Sequence, residues 1–297
     1  MNMIEISHLT KDYGNHKGIF DLSINIKEGE VYGFLGPNGA GKSTTMRHIM
    51  GFSKADDGKV TIDGLDSWKD KVEVKENIGY LAGEISLPND MTGLKYLRLI
   101  SKMRKMDSFD YANYLLDYFN IDPKVNIKKM SKGMKQKIAI VATFMHDPDI
   151  ILLDEPTSGL DPLMQERFIE LVENEKEKGK TVFMSSHIVE EVSKVCDRVG
   201  IVKEGTLIKE LNMDDLRNNE EKTYIVAFKN DDDLSRIVDL YYDAFINEHN
   251  EMVLTLTDDY INVFIEDLAS CDVLYLKEKE ESLEEYFMKF YEGDVHD

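Results

Sequence analysis

Val31-Tyr32-Gly33-Phe34-Leu35-Gly36-Pro37-Asn38-Gly39-Ala40-Gly41-Lys42-Ser43-Thr44 opens as an unbroken apolar run and passes into a glycine-rich turn ending in Lys-Ser-Thr. The run reads as a buried strand, and the turn fits G-x-x-x-x-G-K-[ST], a phosphate-binding loop, in its required strand-to-helix context. Glycines let the backbone curl until successive N–H groups converge on phosphate oxygens, and the helix that follows adds its positive end. Gly36 through Thr44 are therefore candidate nucleotide contacts. Lys42 is expected to reach the β and γ phosphates, and Ser43 offers a hard oxygen to Mg²⁺.

Further along the chain, Ile150-Ile151-Leu152-Leu153 reads as a second buried strand and ends in Asp154-Glu155. Asp154 completes the metal shell directly or through water. An acid at a strand end is ordinarily a cap or a solvated side chain. Beside Asp154, however, Glu155 would lie next to the γ phosphate, where a carboxylate can orient and polarise an attacking water. A third strand, Thr181 to Ser185, precedes His187. Buried parallel strands alternating with helical periods indicate an α/β fold.

Between Lys42 and Asp154 the stretch 92–145 has apolar residues at helical spacing (Leu94, Leu97, Ile100, then Leu115, Leu116, Phe119). From Lys95 to Lys137 it carries eleven basic and four acidic residues. That makes it a locally positive region, which a solvated helix face would also explain.

The chain as a whole is acidic, with 36 Lys and Arg against 57 Asp and Glu, a net −21. Residues 1–209 hold 29 basic and 32 acidic side chains, whereas residues 210–297 hold 7 and 25. The acidity thus belongs to the C-terminal part, and a polar boundary is expected near Leu211 to Lys222. The expected domains are 1–210, with a helical part at about 92–145, and 222–297. In the second, Tyr224 to Phe228 and Met252 to Thr257 alternate as strands, and Asp233 to Phe245, Tyr260 to Leu268 and Ser282 to Phe290 have helical spacing. Ser282 and Glu285 form a capping box. A small α+β domain is expected there.

Such a charge balance disfavours a free-standing nucleic-acid binder. The longest apolar runs fall short of the ~18 residues a spanning helix needs, and Met1 to Thr10 lacks the pattern of a signal peptide. Cys196 and Cys271 lack metal-binding spacing and read as reduced thiols.

Taken in order, these segments resemble the ATP-binding subunit of ABC transporters over residues 1 to about 209. Residues 150–157 look like the family's Walker B run, Ser158-Gly159-Leu160-Asp161 its D-loop, and Ser185-Ser186-His187 its switch histidine. Met130-Ser131-Lys132-Gly133-Met134 stands where the Leu-Ser-Gly-Gly-Gln signature would stand, keeping Ser131 and Gly133. The glutamine loop departs further: Gly83 takes the glutamine's place, and Glu84 is expected to take up its metal contact. Tyr13 matches the aromatic on which the family stacks adenine.

The resemblance implies a P-loop NTPase fold, ATP and Mg²⁺ as cofactors, and Glu155 and His187 as the hydrolytic residues. It further implies that two ATPase subunits, identical or paralogous, close head to tail, so that Ser131, Gly133 and Asp161 of one complete the site of the other. A separate membrane permease would dock near the helical insertion, placing the chain at the cytoplasmic face of the membrane, with export of peptides or drugs as the expected work. The alternatives are a soluble ATPase acting on ribosomes or DNA, disfavoured by a single phosphate loop and no heptad array, and a non-hydrolysing sensor, disfavoured by Glu155 and His187.

Overall fold

All five residues of β3 (Val31–Leu35) are buried, as a strand covered on both faces by other elements must be. The computed structural model, which describes residues 2–217 and 221–279, places β3 inside a six-stranded sheet. Its order is β10-β9-β3-β8-β7-β6, with β6 (Ile78–Leu81), β7 (Ile150–Asp154), β8 (Thr181–Ser186), β9 (Arg198–Lys203) and β10 (Thr206–Asn212). Pairing is parallel throughout except between β9 and β10. This is the α/β P-loop architecture expected from the sequence.

A second, antiparallel sheet of order β2-β1-β4-β5 comprises β1 (Asn2–Asp12), β2 (Gly18–Lys27), β4 (Asp57–Ile62) and β5 (Leu65–Asp66). Ile4, Ile6, Ile24 and Ile26 from its alternating inner face share one core with Phe34 and Phe183 of the main sheet. Met46 and Ile49 of α1 (Lys42–Ile49) complete that core, so apolar packing fixes the helix that follows the phosphate loop.

After the single turn α2 (Lys71–Val74), the insertion forms α3 (Gly93–Met103), α4 (Asp110–Tyr118) and α5 (Lys132–Phe144). Leu97, Leu115, Leu116 and Phe119 are buried as their spacing predicts, while Leu94 and Ile100 are half-buried. Three tyrosines of α4, Tyr111, Tyr114 and Tyr118, stack in a ladder. Their ends tie α4 to α6 (Pro162–Glu177): Tyr111 donates to Glu175 at 2.5 Å and Tyr118 to Glu170 at 2.7 Å. Not all of the insertion's basic residues face solvent freely. Arg104 donates to the carbonyls of Lys75, Glu76 and Ile78, and Lys137 to that of Phe119. The helix α7 (Val189–Val195) follows β8.

The chain divides into two compact units, Met1–Met213 and Asp214–Asp297, with the short helix α8 (Met213–Arg217) at the division. The second unit has an antiparallel sheet of order β12-β13-β11-β14, from β11 (Glu221–Phe228), β12 (Phe245–Ile246), β13 (Met252–Thr257) and β14 (Val273–Lys279). Val226, Met252 and Leu254 pack against Leu234 and Ile237 of α9 (Asp231–Val238) and Phe264 of α10 (Ile261–Leu268).

One expected helix is shorter than its pattern suggests. Asn230 caps α9 by accepting from the Asp233 amide at 2.8 Å, and three aspartates occupy the first turn, where the helix dipole favours them. The helix ends at Val238, and Phe245 and Ile246 pair with β13 instead. The expected helix over Ser282 to Phe290, with its Ser282–Glu285 box, lies outside the described residues. Among the described residues no helix is long and apolar enough to cross a membrane, and both cysteines are free thiols.

Candidate nucleotide-binding site

Three parallel strands end on one edge of the main sheet and deliver the site. After β3 the loop Gly36 to Gly41 turns into α1, with Gly39 and Gly41 at φ +86° and +104°, conformations that residues with a Cβ rarely adopt. Ser43 is exposed and Thr44 half-buried at the helix start. Lys42 is folded back into the loop. Its side chain is only 6% exposed, and its ammonium donates to the carbonyls of Gly36 at 2.6 Å and Pro37 at 3.2 Å.

The same ammonium lies 3.0 Å from Glu155 Oε1. Glu155, directly after β7, has φ +48°, a left-handed conformation that costs a non-glycine residue on the order of 1–3 kcal/mol and clusters at functional sites. Its amide donates to the Ser185 carbonyl at 3.2 Å. Its other carboxylate oxygen, Oε2, lies 2.6 Å from His187 Nδ1. The carboxylate of Glu155 is thus straddled by a cation on α1 and an imidazole from the end of β8.

Asp154 is buried, and Ser185 Oγ donates to its Oδ1 at 2.6 Å. Its Oδ2 faces Gly83 so closely that a Cβ built on Gly83 would lie 3.1 Å from it. Gly83 thus abuts Asp154. Glu84 is exposed and lines a cavity of about 530 Å³ with Tyr80, Leu87, Tyr96 and His146. Among the described residues no group of three or more His, Cys, Asp or Glu could hold a metal. The oxygens of Ser43 and Asp154 suit Mg²⁺, which takes one or two protein ligands and fills its shell from phosphate and water.

Tyr13 lies just beyond β1, 55% exposed, with Lys11 Nζ 5.7 Å from its ring centroid. Ser131 caps α5 by accepting from the Met134 amide at 3.2 Å. Gly133 approaches Gly159 so closely that a Cβ would lie 2.8 Å from its carbonyl oxygen. Lys132, the departure from the family signature, donates to Ser158 Oγ at 3.0 Å, and Gln136 to the Pro156 carbonyl at 2.6 Å. The signature is thereby fastened to residues 156–159 of its own chain. Asp161 caps α6, accepting from the Met164 amide at 3.1 Å. Among the described residues of the single chain no hydrogen bond or ion pair links Ser131, Gly133 or Asp161 to the phosphate loop.

Sequence reasoning missed Glu191, a carboxylate buried in α7 that accepts from the hydroxyls of Thr157 and Ser186. Burial pushes its carboxyl above the usual range, against the pull of the two hydroxyl donors. Its signal was a charged residue on the same buried stripe as Val192 and Val195.

A strand, a glycine loop with its lysine, and a buried aspartate two strands away in the same parallel sheet define a P-loop nucleotide-binding protein. The profile of the ABC transporter family matches residues 19–158. The bacitracin transport ATP-binding protein BcrA of Bacillus licheniformis is 32% identical over 301 residues, covering 98% of both chains. The chain belongs to the ABC transporter family, as an ATP-binding subunit. Among solved structures, an ATP-binding subunit of an ABC transporter superposes with TM-score 0.67 at 29% identity, covering 73% of this chain and 92% of its own. A dimeric ABC transporter cassette, MJ0796, superposes with TM-score 0.65 at 26% identity, covering 71% and 99%. These relatives are transporter proteins, which gives the ribosome or DNA reading no support.

Proposed function

We propose that this chain hydrolyses ATP as one of two subunits closed head to tail, and that the cycle drives export through a separate membrane permease. The carrying observation is Glu155, held in a left-handed conformation between Lys42 and His187. In this reading Gly36 to Thr44 hold the phosphates, Tyr13 stacks on adenine, and Ser43 and Asp154 hold Mg²⁺, which neutralises phosphate charge when bound. Glu155 orients the attacking water, and His187 donates toward the γ phosphate. Ser131, Gly133 and Asp161 face the partner's nucleotide; the solved dimer of a related cassette supports this arrangement.

Residues 1–210 form the ATPase part, with 92–145 as its helical subdomain, and 222–297 an accessory domain. The cavity beside Glu84, walled by the insertion, receives the permease and so places the chain at the cytoplasmic membrane face. The whole-length similarity to a bacitracin transport protein supports a peptide-antibiotic cargo. Affinity recovery from detergent-solubilised membranes tests the assignment. A polytopic protein that co-purifies and raises Mg²⁺-dependent ATP turnover is expected; recovery of ribosomes instead would overturn it.

A further inference from the structure

Glu191 is a buried carboxylate with no ion pair among the described residues, on a helix face otherwise given to valines. An uncompensated buried charge is costly, and an apolar side chain would pack there at less expense. Its bonds show what it does in that place. One oxygen accepts from Thr157 Oγ1 and the other from Ser186 Oγ at 2.8 Å. Thr157 lies two residues after Glu155, and Ser186 immediately precedes His187. Ser186 Oγ also accepts from the Ile188 amide at 2.9 Å, which fixes the turn carrying the histidine. One carboxylate therefore spans the two loops whose ends meet in the 2.6 Å contact of Glu155 with His187.

We propose that Glu191 is a positioning residue for hydrolysis: it sets the separation of the two loops and thereby holds the histidine against the carboxylate. The proposal rests on the reading of Glu155 and His187 as the hydrolytic pair. Glu191 acts through Thr157 and Ser186, and a shift of about 1 Å in the pair they carry can cost about 100-fold in rate.

The test is steady-state Mg²⁺-ATP turnover by the full chain and its variants. Glu191→Ala is expected to lower kcat about 10- to 100-fold while the KM for ATP stays within about threefold. Glu191→Gln should restore most of kcat, because its amide matches the carboxylate in shape, its oxygen still accepts from one hydroxyl, and the other hydroxyl can turn to accept from its nitrogen. In a His187→Ala background the further loss from Glu191→Ala should shrink to less than about threefold, since the contact it supports is already gone. Should Glu191→Ala fail to fold, Thr157→Val cuts one strap of the same bridge and is expected to show the same non-additivity with His187→Ala. Unchanged kcat, a rise in KM alone, or full additivity with His187→Ala would overturn the proposal. A wild-type chain with no ATP turnover would instead overturn the hydrolytic reading on which it rests.

Discussion

Replacing Lys42 by alanine removes a charge that makes three contacts. The side chain is 6% exposed, and its ammonium bonds two loop carbonyls and lies 3.0 Å from Glu155. On the proposed reading it forms a charge-assisted bond to phosphate when nucleotide binds, worth about 1.5–3 kcal/mol, so the loss would correspond to about 10- to 150-fold in Kd. Binding should weaken without vanishing, because the backbone N–H groups of Gly36 to Gly41 and the start of α1 are unchanged. Breaking a fully buried ion pair costs about 3–5 kcal/mol. Glu155, however, is 20% exposed and keeps His187 at 2.6 Å, so the stability cost should be nearer 1–2 kcal/mol. Titration with a fluorescent ATP analogue at fixed Mg²⁺, paired with urea unfolding, measures both. An affinity within threefold of wild type in a folded variant would refute the phosphate-loop assignment.

Tyr13→Ala should weaken ADP binding by an amount set by stacking worth ~1–3 kcal/mol, with Tyr13→Phe close to wild type; equal affinity for the alanine variant would show that adenine is bound elsewhere. Ser185→Ala removes the donor that orients Asp154 and should raise the Mg²⁺ needed for half-maximal turnover about 10-fold, an effect read directly from a Mg²⁺ titration, where an unchanged midpoint refutes it. Burial and the Arg104 charge lower the His146 imidazole from its ordinary 6.5 to about 4. The unfolded chain therefore takes the proton first, and stability present above pH 6.5 is lost as pH falls toward 4. With partial exposure allowed for, wild type should lose about 1 kcal/mol more than His146→Gln between pH 7 and 5, and parallel urea curves would contradict this.

Lys42, Asp154, Glu155 and His187 were legible because each follows or ends a buried apolar run within a motif of fixed local spacing. What stayed hidden depends on contacts between distant segments. Glu191 reaches Thr157, 34 residues away, and nothing near it in sequence announces that partner. Arg104 counts toward a positive surface until its three carbonyl partners in residues 75–78 are seen. The Gly83 departure reads as a lost side chain, whereas in the fold it allows the backbone to lie against Asp154. The tail helix ends at Val238 because β13 competes for Phe245 and Ile246, and sheet pairing of this kind overrides local periodicity.

The central claim, that two copies or paralogues enclose ATP and that Glu155 supports its hydrolysis, meets its most direct test in Glu155→Gln. The amide keeps the side chain's shape but cannot accept a proton, and loss of a general base typically costs 10²–10⁴-fold in rate. Light scattering on the eluting protein, with and without saturating Mg²⁺-ATP, should show the variant shift from monomer to a stable dimer that retains unhydrolysed ATP. A variant that stays monomeric at saturating ATP, or that turns ATP over at the wild-type rate, would contradict the account.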